Sequence, residues 1–279
     1  ENDTSTIEKL TMQNRQASTF EFDQIELSPD TANAESILDQ ELISAAQNTN
    51  LFEYEQAHLD KRYHPFPSIL KVMTPDEILQ WQKKPITKPL LKLPSSLEEI
   101  AIQLFKNLRS YMGDRNSSKS PQLHAVKHTR LAMGSPEEVK DEAYMQVIKQ
   151  ITRNPNPESA QRGWNLFAIM ASCYPPSLEL YYALIHYLLD IVKTGDENLQ
   201  KRANYIIIRL NKTFESRRRL SPSDLEIKHV EEMKPIMIEM NFFSGAATTC
   251  QVESYTTIRE LKTQVMAKLN LNISRIPFF

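Results

Sequence analysis

The chain has 279 residues, of which 41% are hydrophobic, enough for one large or two ordinary domains with a buried core. A formal net charge of −2 hides an asymmetry: residues 1–70 hold 13 acids against 4 bases, a net of −9, and the remaining 22 acids face 29 bases, a net of +7. Cys173 and Cys250 stand far apart and outside any CxxC, which excludes a disulfide scaffold and points to a reducing compartment. No apolar run approaches the ~18 residues that would span a membrane, and Glu1-Asn2-Asp3-Thr4 does not open a signal peptide. With no initiator Met, the chain reads as a cytoplasmic piece of something larger, and the acidic leader before a basic body predicts electrostatic partners.

Residues 1–70 form an acidic, largely flexible leader, rich in Thr, Ser, Asn and Gln at its start. Phe20, Phe22, Ile25 and Leu27 make an apolar island within it. Ala34 to Ala46 can form a short amphipathic helix on Leu38, Leu42 and Ala45. The aromatic, proline-punctuated run Leu51 to Ile69 predicts an extended segment docked on a folded surface.

From residue 74 the pattern becomes helical. Thr74-Pro75-Asp76-Glu77, Ser95-Ser96-Leu97-Glu98 and Ser135-Pro136-Glu137-Glu138 read as capping boxes. Lys83 to Pro94 is held extended by its prolines. Ser120, Asn156, Ser177 and Asp196 are further N-caps, and Gly113, Gly134 and Gly195 stand where left-handed C-caps are wanted. About seven helices are predicted between 74 and 216. In Val139–Trp164, Val139, Ala143, Val147 and Ile151 form an apolar stripe, and Glu142, Gln146 and Gln150 form a polar ladder. Asn154-Pro155-Asn156-Pro157 then breaks one helix and starts the next. Arg217 to Met233 is a charged connector with a short helix from Ser223. After Pro235 the period becomes two: Ile236, Ile238 and Met240 precede a Ser244-Gly245 turn, then Thr248, Cys250 and Val252, then a helix over Thr257 to Leu269. The fold class is mainly α: a multi-helix bundle followed by the beginning of a ubiquitin-like (β-grasp) α+β lobe.

No catalytic constellation stands out. There is no Walker loop, HExxH, GxSxG or glycine-rich nucleotide turn, so an enzyme is not predicted and no cofactor is implied. His124 and His128 have ligand spacing on a helix, but nothing nearby completes a metal site, and they read as surface histidines. Asp141 and Glu142 diverge by ~100° on a helix and read as capping or ion-pairing groups. The basic stretches lack interleaved aromatics and no repeat period is visible, so nucleic acid is not an expected partner.

The run Asp141, Glu142, Tyr144, Gln146, Lys149, Gln150, Asn154, Pro155, then Arg162, Gly163, Trp164, then Pro175, Pro176, Ser177, resembles the signature of the myosin-tail-homology 4 domain. Tyr111-Met112-Gly113-Asp114 and the stretch from Lys84-Pro85-Ile86 to Pro89-Leu90-Leu91 are similar to that family's other landmarks. Lys140 and Met145 depart from its usual Arg and Cys. In that family the domain is often followed by a FERM domain with a ubiquitin-like first lobe, and Arg275-Ile276-Pro277-Phe278-Phe279 resembles the myosin versions of that lobe. The expected organisation is a leader over 1–70, the helical domain over 71–220, a connector over 221–234 and an incomplete first FERM lobe over 235–279.

The resemblance implies a non-catalytic tail module of an ATP-driven unconventional myosin, cytoskeleton-associated, binding cargo or adaptor proteins and microtubules. It also implies a possible fold-back onto the motor domain in cis. A kinesin-like tail or a free-standing helical adaptor is the alternative. The last long helix sets Leu199, Ala203, Ile206, Leu210 and Phe214 on one face, and Lys201, Arg202, Arg209 and Lys212 on the other. Arg217, Arg218 and Arg219 extend that charge, which would attract the acidic surface of a microtubule. Lys149, Arg153 and Arg162 at the helix break form a second candidate patch.

Overall fold

The computed structural model describes residues 38–60, 78–214 and 218–270. Two short helices come first, α1 (Gln40–Gln47) and α2 (Leu51–His58). Six longer ones follow: α3 (Ser95–Met112), α4 (Pro121–Met133), α5 (Glu137–Ile151), α6 (Pro157–Ala171), α7 (Leu178–Thr194) and α8 (Glu197–Phe214). Then come α9 (Asp224–Glu231), strands β1 (Ile236–Asn241) and β2 (Ala247–Val252), and α10 (Ile258–Lys268). The molecule is a mainly α bundle followed by the opening of an α+β lobe.

Helix α6 is the centre of the bundle and touches α3, α4, α5, α8 and α9. It can do so because Leu166, Phe167, Ile169 and Met170 bury on several sides at once. Trp164 stacks between Phe167 and Tyr187, with centroids at 5.9 and 6.5 Å. Asn156 caps α6 by accepting the Glu158 and Ser159 N–H groups at 3.0 and 3.4 Å, and Pro157 begins the helix as its missing N–H allows. Asn154 holds the break: its amide donates to the Gln150 carbonyl at 2.9 Å and the Ser159 hydroxyl at 3.0 Å.

Several caps differ from the sequence reading. Ser120, Ser177, Asp196 and Ser223 accept the expected N–H groups. Helices α3 and α5, however, start after Pro94 and Pro136 with no side-chain cap. The Ser135 hydroxyl instead donates back to the Leu131 carbonyl at 2.7 Å, so that predicted box does not form. Only Gly113 of the three predicted C-cap glycines is left-handed, with φ 86°; Gly134 and Gly195 have φ −81° and −73°. Glu142, Gln146 and Gln150 are not a solvent-facing ladder, because neighbours cover α5 on all sides.

Residues 51–58 are helical rather than extended. The Asn50 side chain caps α2 by accepting the Glu53 N–H at 2.8 Å, a signal that the aromatic composition hid. Helices α1 and α2 lie along α7, and Leu59 bridges to Leu91. The Asp60 N–H donates to Leu90 O at 2.7 Å and the Lys92 N–H to His58 O at 2.8 Å. The apolar island at 20–27 and the capping box at 74–77 lie outside the described residues.

The connector is docked. Ser223 and Glu226 close a reciprocal capping box, and α9 packs on α6 and α4 through buried Ile227 and Val230. The hairpin pairs antiparallel from Ile236↔Val252 to Asn241↔Ala247, and α10, opened by a Thr257–Glu260 capping box, lies on β2.

Gly163 lets α6 approach α3 and α5 closely. A Cβ there would meet Ile151 Cγ2 far inside contact distance and Met112 Cε at 2.9 Å. Gly163→Ala should therefore overpack the α3–α5–α6 junction and cost about 1–3 kcal/mol, read as a lower urea midpoint with an unchanged slope.

Candidate partner-binding surface

The family signature turns out to be an internal tether. The Glu142 carboxylate, 0% exposed, accepts the N–H groups of Leu90 at 2.9 Å and Leu91 at 2.8 Å. Gln146 donates to Glu142 Oε1 at 2.7 Å and to the Ala101 carbonyl at 2.9 Å. Burial pushes the Glu142 pKa up to about 7, against the pull of those hydrogen bonds. Asp141 accepts the Tyr54 hydroxyl at 2.9 Å and the Ser177 N–H at 2.7 Å. Burial raises its pKa as well. Tyr144 donates to the Tyr174 carbonyl at 2.7 Å, just before Pro175 and Pro176. The adjacent acids thus serve two different segments, as their ~100° divergence requires, and neither is ion-paired among the described residues.

Four predicted surface cations are structural, which corrects the expectation. Lys149 is 1% exposed, and its ammonium donates to the carbonyls of Ile78 and of Gln80, the latter at 2.7 Å. Burial pulls its pKa down to about 7. Arg202 donates to the amide oxygens of Asn165 and Asn198 at 2.6 and 2.8 Å and is 7% exposed. Arg209 is 0% exposed, stacked 3.2 Å from the Tyr205 ring centroid and paired with Glu253 at 2.5 Å. Arg218 pairs with Glu226 at 2.7 Å and donates to the Leu220 carbonyl at 2.7 Å.

The reading of α8 as one-sided failed because the helix is enclosed. Helices α6 and α7 cover two sides, and Glu253 and Tyr255, beyond β2, close over Arg209. Tyr205, Ile207 and Ile208 are buried along with the predicted Ala203, Ile206 and Leu210, whereas the predicted Leu199 is only partly buried and Phe214 is exposed.

The other predicted cations do reach the surface. Lys201 is exposed and paired with Glu197 at 2.8 Å, and Lys212 approaches Glu260 at 3.7 Å. Arg153, Arg162 and Arg219 are exposed and form no ion pair among the described residues. Arg217 lies outside the described residues. His124 and His128 are buried rather than surface groups: His124 meets the Ser117 hydroxyl at 2.8 Å and His128 the Leu104 carbonyl at 3.2 Å. Burial holds His128 neutral, with a pKa near 4. A basic stretch spanning α3 and α4 escaped the sequence reading. Its signal was available: Ala101 to Pro136 holds six Lys/Arg and one acid. Among the described residues no helix is long and apolar enough to cross a membrane.

Residues 127–229 match the MyTH4 domain family. The chain is 32% identical to Myosin-VIIa of Drosophila melanogaster over 164 residues, 58% of this chain and 7% of that protein. It is 26% identical to human Unconventional myosin-XVB over 203 residues, 70% of this chain and 6% of that protein. The chain therefore spans less than a tenth of these relatives' length. The MyTH4-FERM MF1 domain of Dictyostelium discoideum Myosin VII shares its fold, with a TM-score of 0.66 at 24% identity over 83% of this chain and 46% of that one. The human Myosin 7b C-terminal MyTH4-FERM domain, solved in complex with the harmonin-a PDZ3 domain, gives 0.61 at 22% identity, over 78% and 43%. In both of those modules a MyTH4 domain is joined to a FERM domain; in this chain the helical bundle is followed by the β1–β2 hairpin and α10. Arg209–Glu253 and Lys212–Glu260 link α8 to the segment after β2, and Arg218–Glu226 ties the connector to α9.

The tether gives the MyTH4 domain a characteristic pH response. The native fold keeps the Glu142 proton to about pH 7 against an ordinary 4.5, so this group's contribution to stability falls as pH rises from 4.5 to 7. Lys149 loses its proton near 7 in the fold and near 10.5 when unfolded, so its contribution rises from pH 7 to 10.5. Glu142→Gln should flatten the acid-side slope in urea titrations at several pH values. It should also cost about 1–3 kcal/mol, since one of the two backbone N–H groups loses its acceptor.

Proposed function

We propose that the chain is a non-catalytic tail module of an unconventional myosin, and that it binds cargo or adaptor proteins. The support for this reading is the MyTH4 family match over residues 127–229, the fold shared with MyTH4-FERM domains and the buried Arg209–Glu253 contact between α8 and the segment after β2. A partner that docked across both would gain from any contact that holds them together before it binds, because less entropy is then lost. The human Myosin 7b module with a harmonin PDZ domain exemplifies the partner class, a folded adaptor domain. The proposed domain limits are 71–220 and 235–279, with the intervening connector helix docked on the first.

Replacing the module in its parent protein by a flexible linker should leave motor ATPase intact and abolish cargo delivery. Loss of ATPase would overturn the non-catalytic reading, and unchanged delivery the cargo reading.

Microtubule binding and fold-back onto the motor are narrower readings of the same module. Their support is the set of exposed cations Arg153, Arg162 and Arg219, which form no ion pair among the described residues and would attract an acidic surface in a salt-dependent way. The triple variant Arg153→Glu, Arg162→Glu, Arg219→Glu should weaken co-sedimentation with microtubules at low salt about tenfold, or roughly 1.4 kcal/mol. Unchanged co-sedimentation sinks the microtubule reading and leaves the cargo reading standing.

A further inference from the structure

Tyr111, Glu158, Arg162 and Glu231 line a cavity of about 400 Å³ where the end of α3, the start of α4, the first half of α6 and the end of α9 meet. Glu158, Gln161, Arg162 and Asn165 recur at helical spacing, so one face of α6 forms a wall. Gln122 lines it from α4, and the docked connector helix α9 supplies Glu231. The volume far exceeds the ~30 Å³ share of one water and falls within the ~300–1,000 Å³ of sites that receive an organic group. Most of the lining is polar, unlike the apolar walls usual in such sites.

Two side chains more than nine-tenths buried build this lining. Arg202, 7% exposed, donates to Asn165 Oδ1 at 2.6 Å. A guanidinium only donates, so this bond fixes which way the Asn165 amide faces. Tyr111, 1% exposed, donates to Glu231 Oε1 at 2.6 Å. That bond holds the Glu231 carboxylate on the wall with lone pairs to spare. Burial and then the Glu231 charge keep the Tyr111 pKa well above its ordinary value, so the phenol stays a donor.

The charges on the wall do not satisfy one another. Glu158 and Arg162 stand four apart on α6, in the order that favours an ion pair. They form none, and neither does Glu231, among the described residues. Arg162 instead lies over Gly113, its Nη1 3.1 Å from where a Cβ on that residue would stand. There α3 ends, and the free carbonyls and negative dipole end of a helix attract a cation. Arg162 is thus drawn to the α3 end of the cavity, and two carboxylates line the rest without a cation between them.

We propose that this cavity receives the guanidinium of an arginine side chain from a partner protein. A guanidinium carries five N–H donors in one plane. The cavity offers it Glu158, Glu231 and the side-chain carbonyls of Gln122 and Gln161 as acceptors. The donor set does not suit a metal ion: among the described residues no three His, Cys, Asp or Glu side chains are grouped to hold one. An anion would meet two carboxylates against one guanidinium. The proposal goes beyond the cargo reading and is opposite in sign to the microtubule reading, since it draws a basic segment to the chain.

The test is a titration of the isotopically labelled chain with the probe peptide acetyl-Gly-Ala-Arg-Ala-Gly-amide, followed by amide NMR at low salt. The comparison peptides carry citrulline, which keeps the shape without the charge, or glutamate in place of the arginine. Saturable shifts at residues 121–122, 158–165 and 231 are expected with the arginine peptide. They should be about tenfold weaker with citrulline, as loss of a charged hydrogen-bond partner implies, and absent with glutamate. Glu231→Gln should weaken the arginine titration by about as much, while its amide carbonyl still accepts from Tyr111. If that variant does not fold, Glu158→Gln, on the exposed first turn of α6, serves as the second variant and should weaken the titration several-fold. Arg162→Glu should tighten it, whereas the microtubule reading expects weaker co-sedimentation from the same change, so the two readings fail separately. Absent or delocalised shifts, an equal response to the citrulline peptide, or saturable binding of the glutamate peptide at these residues would each overturn the proposal.

Discussion

A buried carboxylate that receives two backbone N–H groups is the contact on which the rest of the bundle depends. Residues 78–94 are proline-rich and have only the single Leu59–Leu91 bridge in place of a strand ladder, yet Ile86, Leu90, Leu91 and Leu93 are buried. A buried peptide group without a partner is costly. The side chains of α3 and α5 supply the partners: Glu142 takes the N–H groups of Leu90 and Leu91, Lys149 donates to the carbonyls of Ile78 and Gln80, and Arg109 donates to that of Lys83. Three charged residues thus do for an extended segment what a neighbouring strand does in a sheet.

That arrangement explains why the charges most visible in the sequence are not the ones displayed outside. Lys149, Arg202, Arg209 and Arg218 each have internal partners with strong geometry. Removing any of them would leave a buried acceptor or carboxylate unmatched, which is far more costly than losing a surface pair. The exposed cations fall into two groups. Lys201 and Lys212 are neutralised locally. Arg153, Arg162 and Arg219 are exposed and form no ion pair among the described residues.

Much of the architecture was legible along the chain. The Asn-Pro-Asn-Pro break, the Ser120, Ser177, Asp196 and Ser223 caps and the hairpin after Pro235 are local signals, set by proline geometry, side-chain caps and period. Local reading failed where a competing contact had longer range. Ser135 turned back to Leu131 instead of capping α5, and α2 formed where composition suggested an extended strap. Gly163 could be identified as a family landmark. Its packing reason, the approach of Ile151 and Met112, could not.

Taken alone, the sequence determined the helical class, the positions of most helix starts, the hairpin register region and the MyTH4 resemblance, because each is written within a few residues of itself. Tertiary structure alone decided which charges are buried. Arg202 and Arg209 share a helical spacing with Lys201 and Lys212, and no periodicity distinguishes them. Only the closure of Asn165, Tyr205 and Glu253 around the first two, across separations of up to 44 residues, turned them into internal bonds. Burial of a charge depends on what the rest of the chain brings to it, and that information is not local.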